Sequence, residues 1–211
     1  MIAVIGNGRW ALKVARELKE IAQQAKVSWG VRSTVYGQEL QGKEPRIEVV
    51  SYAEAIEAHQ VIVMAMLTPD AVAWAKGHAE LLSGKIIVDV SIPYEDSLQG
   101  VLYDWDTSGT EELQKRLVQA KVVGAKSTAF TMPGTKAATD VTNVYITGDD
   151  RAAKDVIMRL FRNGRYVPVD AGALDANRAI DRMISLQDWQ ETVSDSSLRN
   201  EPINRGGWCP L

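Results

Sequence analysis

Hydrophobic and polar positions along the chain alternate between two kinds of segment. Short runs of β-branched and aliphatic residues are each followed by a longer stretch with apolar positions near helical spacing. Ile2-Ala3-Val4-Ile5 is the first such run, and Trp10 to Ala25 follows with Leu12, Ala15, Leu18 and Ile21 or Ala22 on one predicted helical face. Val27 to Val31 and Arg46 to Val50 predict the second and third strands. Ser51 and Glu54 have the spacing of a capping box, which starts a short helix through about His59. Gln60 to Met66 is almost wholly apolar, the pattern of a central strand covered on both faces.

A predicted helix over Ala71–Leu82 leads to a fifth strand, Ile86 to Val90, and Tyr94 to Thr107 reads as irregular. Ser108 and Glu111 repeat the capping spacing before a helix of about Glu112 to Gln119, and Lys121 to Ala125 is a sixth strand. Lys126 to Asp140 reads as a loop that either shapes a pocket or is a flexible connection. Val144 to Gly148 predicts a further strand, and Asp149-Asp150 caps a helix through Phe161. In Arg165 to Val169, Pro168 marks an edge strand. The last helix is expected over about Asp175 to Gln190, followed by a polar tail from Thr192 that reads as an extended arm or a disordered one. Strands and helices alternating through short joins predict an α/β fold: a doubly wound, mostly parallel Rossmann sheet with added carboxy-terminal strands, a terminal helix and an extended arm. The expected division is residues 1–190 as a nucleotide-binding domain with a small carboxy-terminal addition, and 191–211 as tail.

The join after the first strand gives this pattern its chemistry. Gly6-Asn7-Gly8-Arg9-Trp10-Ala11 has the spacing G-x-G-x-x-A directly between a strand and a helix. Gly6 permits a sharp turn, Gly8 leaves bare backbone for a pyrophosphate, and Ala11 is small enough for close helix packing. The free N–H groups of the helix start then favour an anion, although the glycines could serve the turn alone. Trp10 either sits over the cofactor or packs in the core. About 20 residues further on, an acidic residue would accept the ribose hydroxyl of NAD; here Arg32-Ser33-Thr34 stands instead, and the first acid beyond it is Glu39. A forked guanidinium and two hydroxyls suit the extra phosphate of NADP, the alternative being a solvated arginine in a polar loop. Ligands in such sheets lie beyond the carboxyl ends of the strands, so Leu67-Thr68-Pro69 and Ser91-Ile92-Pro93 are candidates to face the nicotinamide half.

Composition narrows the remaining choices. The 211 residues are 45% apolar and 24% charged, an ordinary globular balance, with a net charge of −3 that points to no nucleic-acid partner. No run approaches the roughly 20 apolar residues of a membrane span, and the apolar start runs into glycines too soon for a signal peptide. The single cysteine, Cys209, cannot form an intrachain disulfide, so the expected setting is a reducing cytoplasm. His59 and His78 lack partners at ligand spacing, so no metal is expected, and each reads as a surface helix residue. There is no G-x-S-x-G elbow.

Taken in order, Gly6-Asn7-Gly8, Gly30-Val31-Arg32-Ser33, Leu67-Thr68-Pro69, Val88 to Pro93, Val123-Gly124-Ala125-Lys126-Ser127-Thr128 and Asp170-Ala171-Gly172-Ala173-Leu174 resemble the NADP-dependent reductases of the deazaflavin coenzyme F-420. These are relatives of the pyrroline-5-carboxylate reductases and are similar to the cytosolic domains of the six-transmembrane metalloreductases. The likeness spans Met1 to about Arg178, and the chain departs from the family's compact ending after about Ile180. The resemblance implies NADP as cofactor and a deazaflavin, a flavin or a small organic molecule as hydride acceptor. It places pyrophosphate at Gly6 to Trp10, the adenosine phosphate at Arg32 to Thr34, and the nicotinamide ribose at Leu67 to Pro69 and Ser91 to Pro93. Lys126, Ser127 and Thr128 are the candidates to meet an anionic acceptor, a surface lysine being the alternative. An imine or β-hydroxyacid reductase and a non-catalytic NADP-binding sensor remain as competing readings, with a homodimer as the expected assembly.

Overall fold

The structure, a computed structural model, describes residues 2–22, 26–42, 46–94, 102–131, 141–162 and 165–194. The end of the loop expected over Lys126 to Asp140, part of the Tyr94–Thr107 stretch and the expected arm with Cys209 lie outside the described residues. Eight strands form one sheet: β1 (Ile2–Ile5), β2 (Val27–Val31), β3 (Glu48–Ser51), β4 (Val61–Met64), β5 (Ile86–Asp89), β6 (Lys121–Lys126), β7 (Thr142–Thr147) and β8 (Tyr166–Asp170). Their spatial order is β3-β2-β1-β4-β5-β6-β7-β8. The first six are parallel, β7 runs antiparallel to β6, and β8 is parallel to β7. Strand order reverses between β1 and β4, and this switch point opens a crevice at the carboxyl ends of those strands.

The helices are α1 (Gly8–Ile21), α2 (Thr34–Gln41), α3 (Tyr52–Ala58), α4 (Thr68–His78), α5 (Gly109–Arg116), α6 (Arg151–Phe161) and α7 (Asn177–Ser194). Successive strand side chains alternate between faces. Val4, Val63, Val88 and Val123 join the core beneath α1 and α6, while Ala3, Ile5, Ile62, Met64 and Ile87 join a second core beneath α3, α4 and α5. With both faces covered, the central strands can be apolar throughout, as the sequence pattern required.

Local signals also hold where they were specific. The Ser51–Glu54 capping box is complete, Ser108 and Asp150 cap α5 and α6, and Pro168 lies on β8 at the sheet edge. Three features differ from the sequence reading. α2 has no apolar period; its one buried residue is Gly37, where a Cβ would stand 2.8 Å from Val49 Cγ1, so the helix lies close against β3 through a glycine rather than through an apolar face. α7 continues through Ser194, past its expected end. His59 is not a surface residue: it is buried, with Nδ1 2.9 Å from Ala55 O and Nε2 3.3 Å from Ser28 Oγ.

Candidate functional site

The turn from β1 to α1 is built by close approach at one glycine and open space at the other. A Cβ on Gly6 would lie 2.0 Å from Ala65 O and 3.0 Å from Ala11 Cβ, so nothing larger than glycine fits between the ends of β1 and β4. Gly8 has φ +84°, and a Cβ there would meet no atom of the described residues within 4 Å beyond its own chain neighbours and helix backbone. The first glycine therefore serves the fold and the second leaves the backbone bare toward the crevice. Trp29, buried in β2, supports the turn from beneath by donating Nε1–H to Gly6 O at 2.8 Å. No local pattern in the sequence marks Trp29 for this role.

Asn7 sits at the N-cap of α1 without capping it by its side chain, and the first turn holds no acidic residue. The leading N–H groups therefore keep their donor capacity at the positive end of the helix. Asn7 Oδ1 instead accepts the backbone N–H of Arg32 at 3.0 Å, which ties the glycine turn to the loop after β2. Arg9 and Arg32 are exposed. Ser33 caps α2, its Oγ accepting Tyr36 N–H at 3.4 Å, and Thr34 is the first residue of that helix. A second helix start, an arginine and two hydroxyls thus stand beside the first helix start. Of the two roles open to Trp10, packing is the one its side chain takes: the residue is 9% exposed and its Nε1–H donates to Phe130 O at 2.7 Å.

The ends of β4 and β5 meet, as expected, but their hydroxyls are committed to the interior. Leu67 precedes α4, Thr68 opens it, and Pro69 is exposed in its first turn. Ser91 N–H and Oγ–H both donate to Asp89 Oδ1, at 3.0 and 2.7 Å. With that proton spent, the 2.9 Å contact between Thr68 Oγ1 and Ser91 Oγ has Thr68 as donor. Ile92 packs against Ile180 and Ile184 of α7, and Pro93 is buried beside it. What these residues present to the crevice is backbone and aliphatic surface.

Lys126 is where the sequence reading needs most correction. It is neither a surface lysine nor turned toward an incoming anion: the side chain is 0% exposed, and Nζ lies 2.7 Å from Asp89 Oδ2. It also donates to Ser91 O, and it approaches Asp181 Oδ1 of α7 at 3.6 Å, an ion pair without a hydrogen bond. Thr110 of α5 donates to Asp89 Oδ2 at 2.7 Å. Burial raises the Asp89 carboxyl, but Lys126, Ser91 and Thr110 hold it below its usual range; burial opposes the charge on Lys126, but Asp181 and Asp89 hold that ammonium's pKa above its usual value. Asp89 had a visible signal, a carboxylate inside the run Ile86 to Val90. Asp181 had less, standing on a helix of mixed polarity. Ser127 is buried with Oγ accepting Ala129 N–H at 3.3 Å, which also removes it from the candidate acceptor contacts. Thr128 lies at the surface of a cavity: with Thr142, Asn143, Tyr145, Ile184 and Gln187 it lines a space of about 410 Å³ between β7 and α7.

Residues 1–93 match the family model described as NADP oxidoreductase coenzyme F420-dependent. That match ends at Pro93, short of the span to Arg178 expected from the resemblance, and covers both glycines, Arg32 and the ends of β4 and β5. No curated protein matches the chain by sequence. Among solved structures, a protein assigned as an F420-dependent NADP reductase from an Arthrobacter species is 24% identical, with 92% of this chain and 93% of that chain covered and a TM-score of 0.66. A hypothetical protein from Sinorhizobium meliloti is 19% identical over 86% of this chain and 89% of that one, with a TM-score of 0.72. An imine reductase from Bacillus cereus is 16% identical over 93% of this chain but 62% of its own, with a TM-score of 0.58. These similarities show the Rossmann-like fold.

Proposed function

We propose that this protein is an NADP-dependent oxidoreductase that exchanges hydride between NADP(H) and a deazaflavin, a flavin or a small organic acceptor. The observation that carries the reading is the bare face at Gly8, set against an uncapped helix start and tied through Asn7 to Arg32. A pyrophosphate fits there because the leading N–H groups of a helix have no intrahelical acceptor and, among the described residues, nothing stands over Gly8. The 2′-phosphate fits the exposed guanidinium of Arg32 and the start of α2, with Ser33 and Thr34 as hydroxyl donors. The match of residues 1–93 to an NADP oxidoreductase family supports the same assignment.

NADPH, when bound, supplies two electrons and a proton as one hydride, so the protein has little acid or base chemistry to add. Its work is to fix the dinucleotide at the carboxyl ends of β1, β2, β4 and β5 and to keep water from the acceptor side. The cavity at Thr128, Asn143 and Tyr145 is the proposed acceptor side, and its described lining offers amides, hydroxyls and aliphatic surface. A second reading, a non-catalytic NADP sensor, draws on the cover that Ile180 and Ile184 place over Ile92.

Calorimetric titration with NADPH and NADH, followed by turnover with a panel of deazaflavin, flavin, quinone and imine acceptors, tests both readings. NADPH binding in preference to NADH, with turnover of at least one acceptor, is the expected result. Tight NADPH binding without turnover of any acceptor transfers the assignment to the sensor. Absence of binding removes both.

A further inference from the structure

The cluster beneath the end of β5 contains more than a structural ion pair requires. Lys126 and Asp89 already compensate each other, yet a second carboxylate, Asp181, is buried against the same ammonium. It is 1% exposed, and neither of its oxygens has a hydrogen-bond partner among the described residues. A buried acid left in this state is costly. The ammonium it approaches also donates to the backbone of Ser91, in the turn that carries Ile92 and Pro93. One charged group therefore connects α7, the interior of β5 and the turn assigned above to the nicotinamide half.

We propose that Lys126 is a positioning residue that holds the turn Ser91–Pro93 in register through Ser91 O, and that Asp181 is the acid that competes with this turn for the ammonium. The inference rests on the NADP-binding reading given under Proposed function. With Asp181 neutral, Lys126 is committed to Asp89 and Ser91 O, and the turn is fixed. With Asp181 ionised, the ammonium is drawn from the 3.6 Å approach toward it; its third N–H reaches Asp181 while the other two stay with Asp89 and Ser91 O, so the shift lengthens the contact to Ser91 O rather than breaking it.

The groups around Asp181 support this order of events. Lys126 faces it from β6, and Asp89 from β5. On α7, Arg182 stacks on Trp105 with its guanidinium carbon 4.0 Å from the ring centre, and Arg178 is paired with Glu111 of α5. The phenols of Tyr94 and Tyr145 pack among Ile180 and Ile184. Burial, opposed by Lys126 and reinforced by Asp89, pushes the Asp181 carboxyl up to about 7, which places the change of state near neutral pH.

The test uses the full chain and NADPH itself, with bound-cofactor fluorescence read from pH 5.5 to 8.5 for wild type and Asp181→Asn. The 2′-phosphate of the cofactor titrates near pH 6 in both proteins, so the difference between the two curves isolates the protein group. Wild-type affinity is expected to fall about tenfold more than that of the variant as pH rises through neutrality, the size of one hydrogen bond from a charged donor. Asp181→Asn is expected to keep the low-pH wild-type affinity throughout. Lys126→Met removes the hold altogether but leaves Asp89 buried without its cation, at a cost to folding; Asp181→Asn keeps size and shape and carries the test. Parallel curves overturn the inference while leaving NADP binding intact. No binding by either protein at any pH takes the inference down together with the reading beneath it, and is told apart by that.

Discussion

The two glycines of the first turn make opposite demands on an added methyl group, and this separates fold from ligand binding. In Gly6→Ala the new Cβ would stand 2.0 Å from Ala65 O and 2.8 Å from the Ala65 carbonyl carbon, both backbone atoms at the end of β4. Ordinary contact begins beyond 3 Å, so the turn and the end of β4 must move apart by more than an ångström, next to strands whose residues are largely buried. Overpacking of this kind costs about 3 kcal/mol or more, a large part of the roughly 5–15 kcal/mol that holds a domain folded. In Gly8→Ala the methyl meets no atom of the described residues within 4 Å beyond its own chain neighbours and helix backbone, and the cost is that of φ +84° in a residue with a side chain, about 1–2 kcal/mol. The methyl does, however, occupy the face left for the pyrophosphate. In urea unfolding, Gly6→Ala is expected to lower the midpoint by about 1 M or more and Gly8→Ala by roughly half as much, for a slope of about 2–3 kcal/mol/M. In NADPH titrations Gly8→Ala is expected to lose at least about a hundredfold in affinity. A Gly6→Ala midpoint equal to wild type would refute the packing argument. A Gly8→Ala protein that is folded and binds NADPH as tightly as its parent would show that the second glycine only turns the chain.

Replacing Arg32 with alanine should weaken NADPH binding by about 10–100-fold, the worth of a bidentate guanidinium–phosphate contact, and leave NADH binding unchanged; equal losses in parallel titrations would remove the 2′-phosphate assignment. Lys126→Met leaves the Asp89 carboxylate buried without its cation and should destabilise by about 3–5 kcal/mol in equilibrium unfolding; a shift under 1 kcal/mol would mean that Ser91 and Thr110 suffice for that charge. Burial lowers the His59 pKa, so below the unfolded value of 6.5 the unfolded chain takes up a proton that the folded chain resists. Stability should therefore fall as pH drops below about 6.5, and His59→Gln should lessen that fall in thermal melts taken from pH 5 to 7.5.

The parts of the fold legible in the sequence were those whose signal is local. The glycine turn, the two capping serines, the apolar run of β4 and the edge proline each carry their reason within a few residues. α2 was missed because a helix seated on a glycine shows no apolar stripe. His59 was misread because the hydroxyl that receives it, Ser28 Oγ, comes from a strand 31 residues away. In the candidate site, Gly8 and Arg32 could be singled out because a dinucleotide would ask for those residue types at that spacing. The network of Asp89, Lys126 and Asp181 could not, since its members stand on three elements and only the folded sheet brings them together. Lys126 looked like a loop cation because it ends β6 immediately before a polar segment, and nothing nearby in sequence announces the carboxylates that enclose it.

The reversal of the last two strands has an architectural consequence. Because β7 runs against β6, Thr142 at its beginning lies on the rim where the parallel strands finish, and β8 starts there as well. The cavity at Thr142 and Tyr145 is thus walled partly by strand entrances, while the crevice proposed for the nucleotide lies at strand exits. Substitutions at Thr142, Asn143 or Tyr145 would reshape that cavity while the register of β1, β2 and β4 stays as it is.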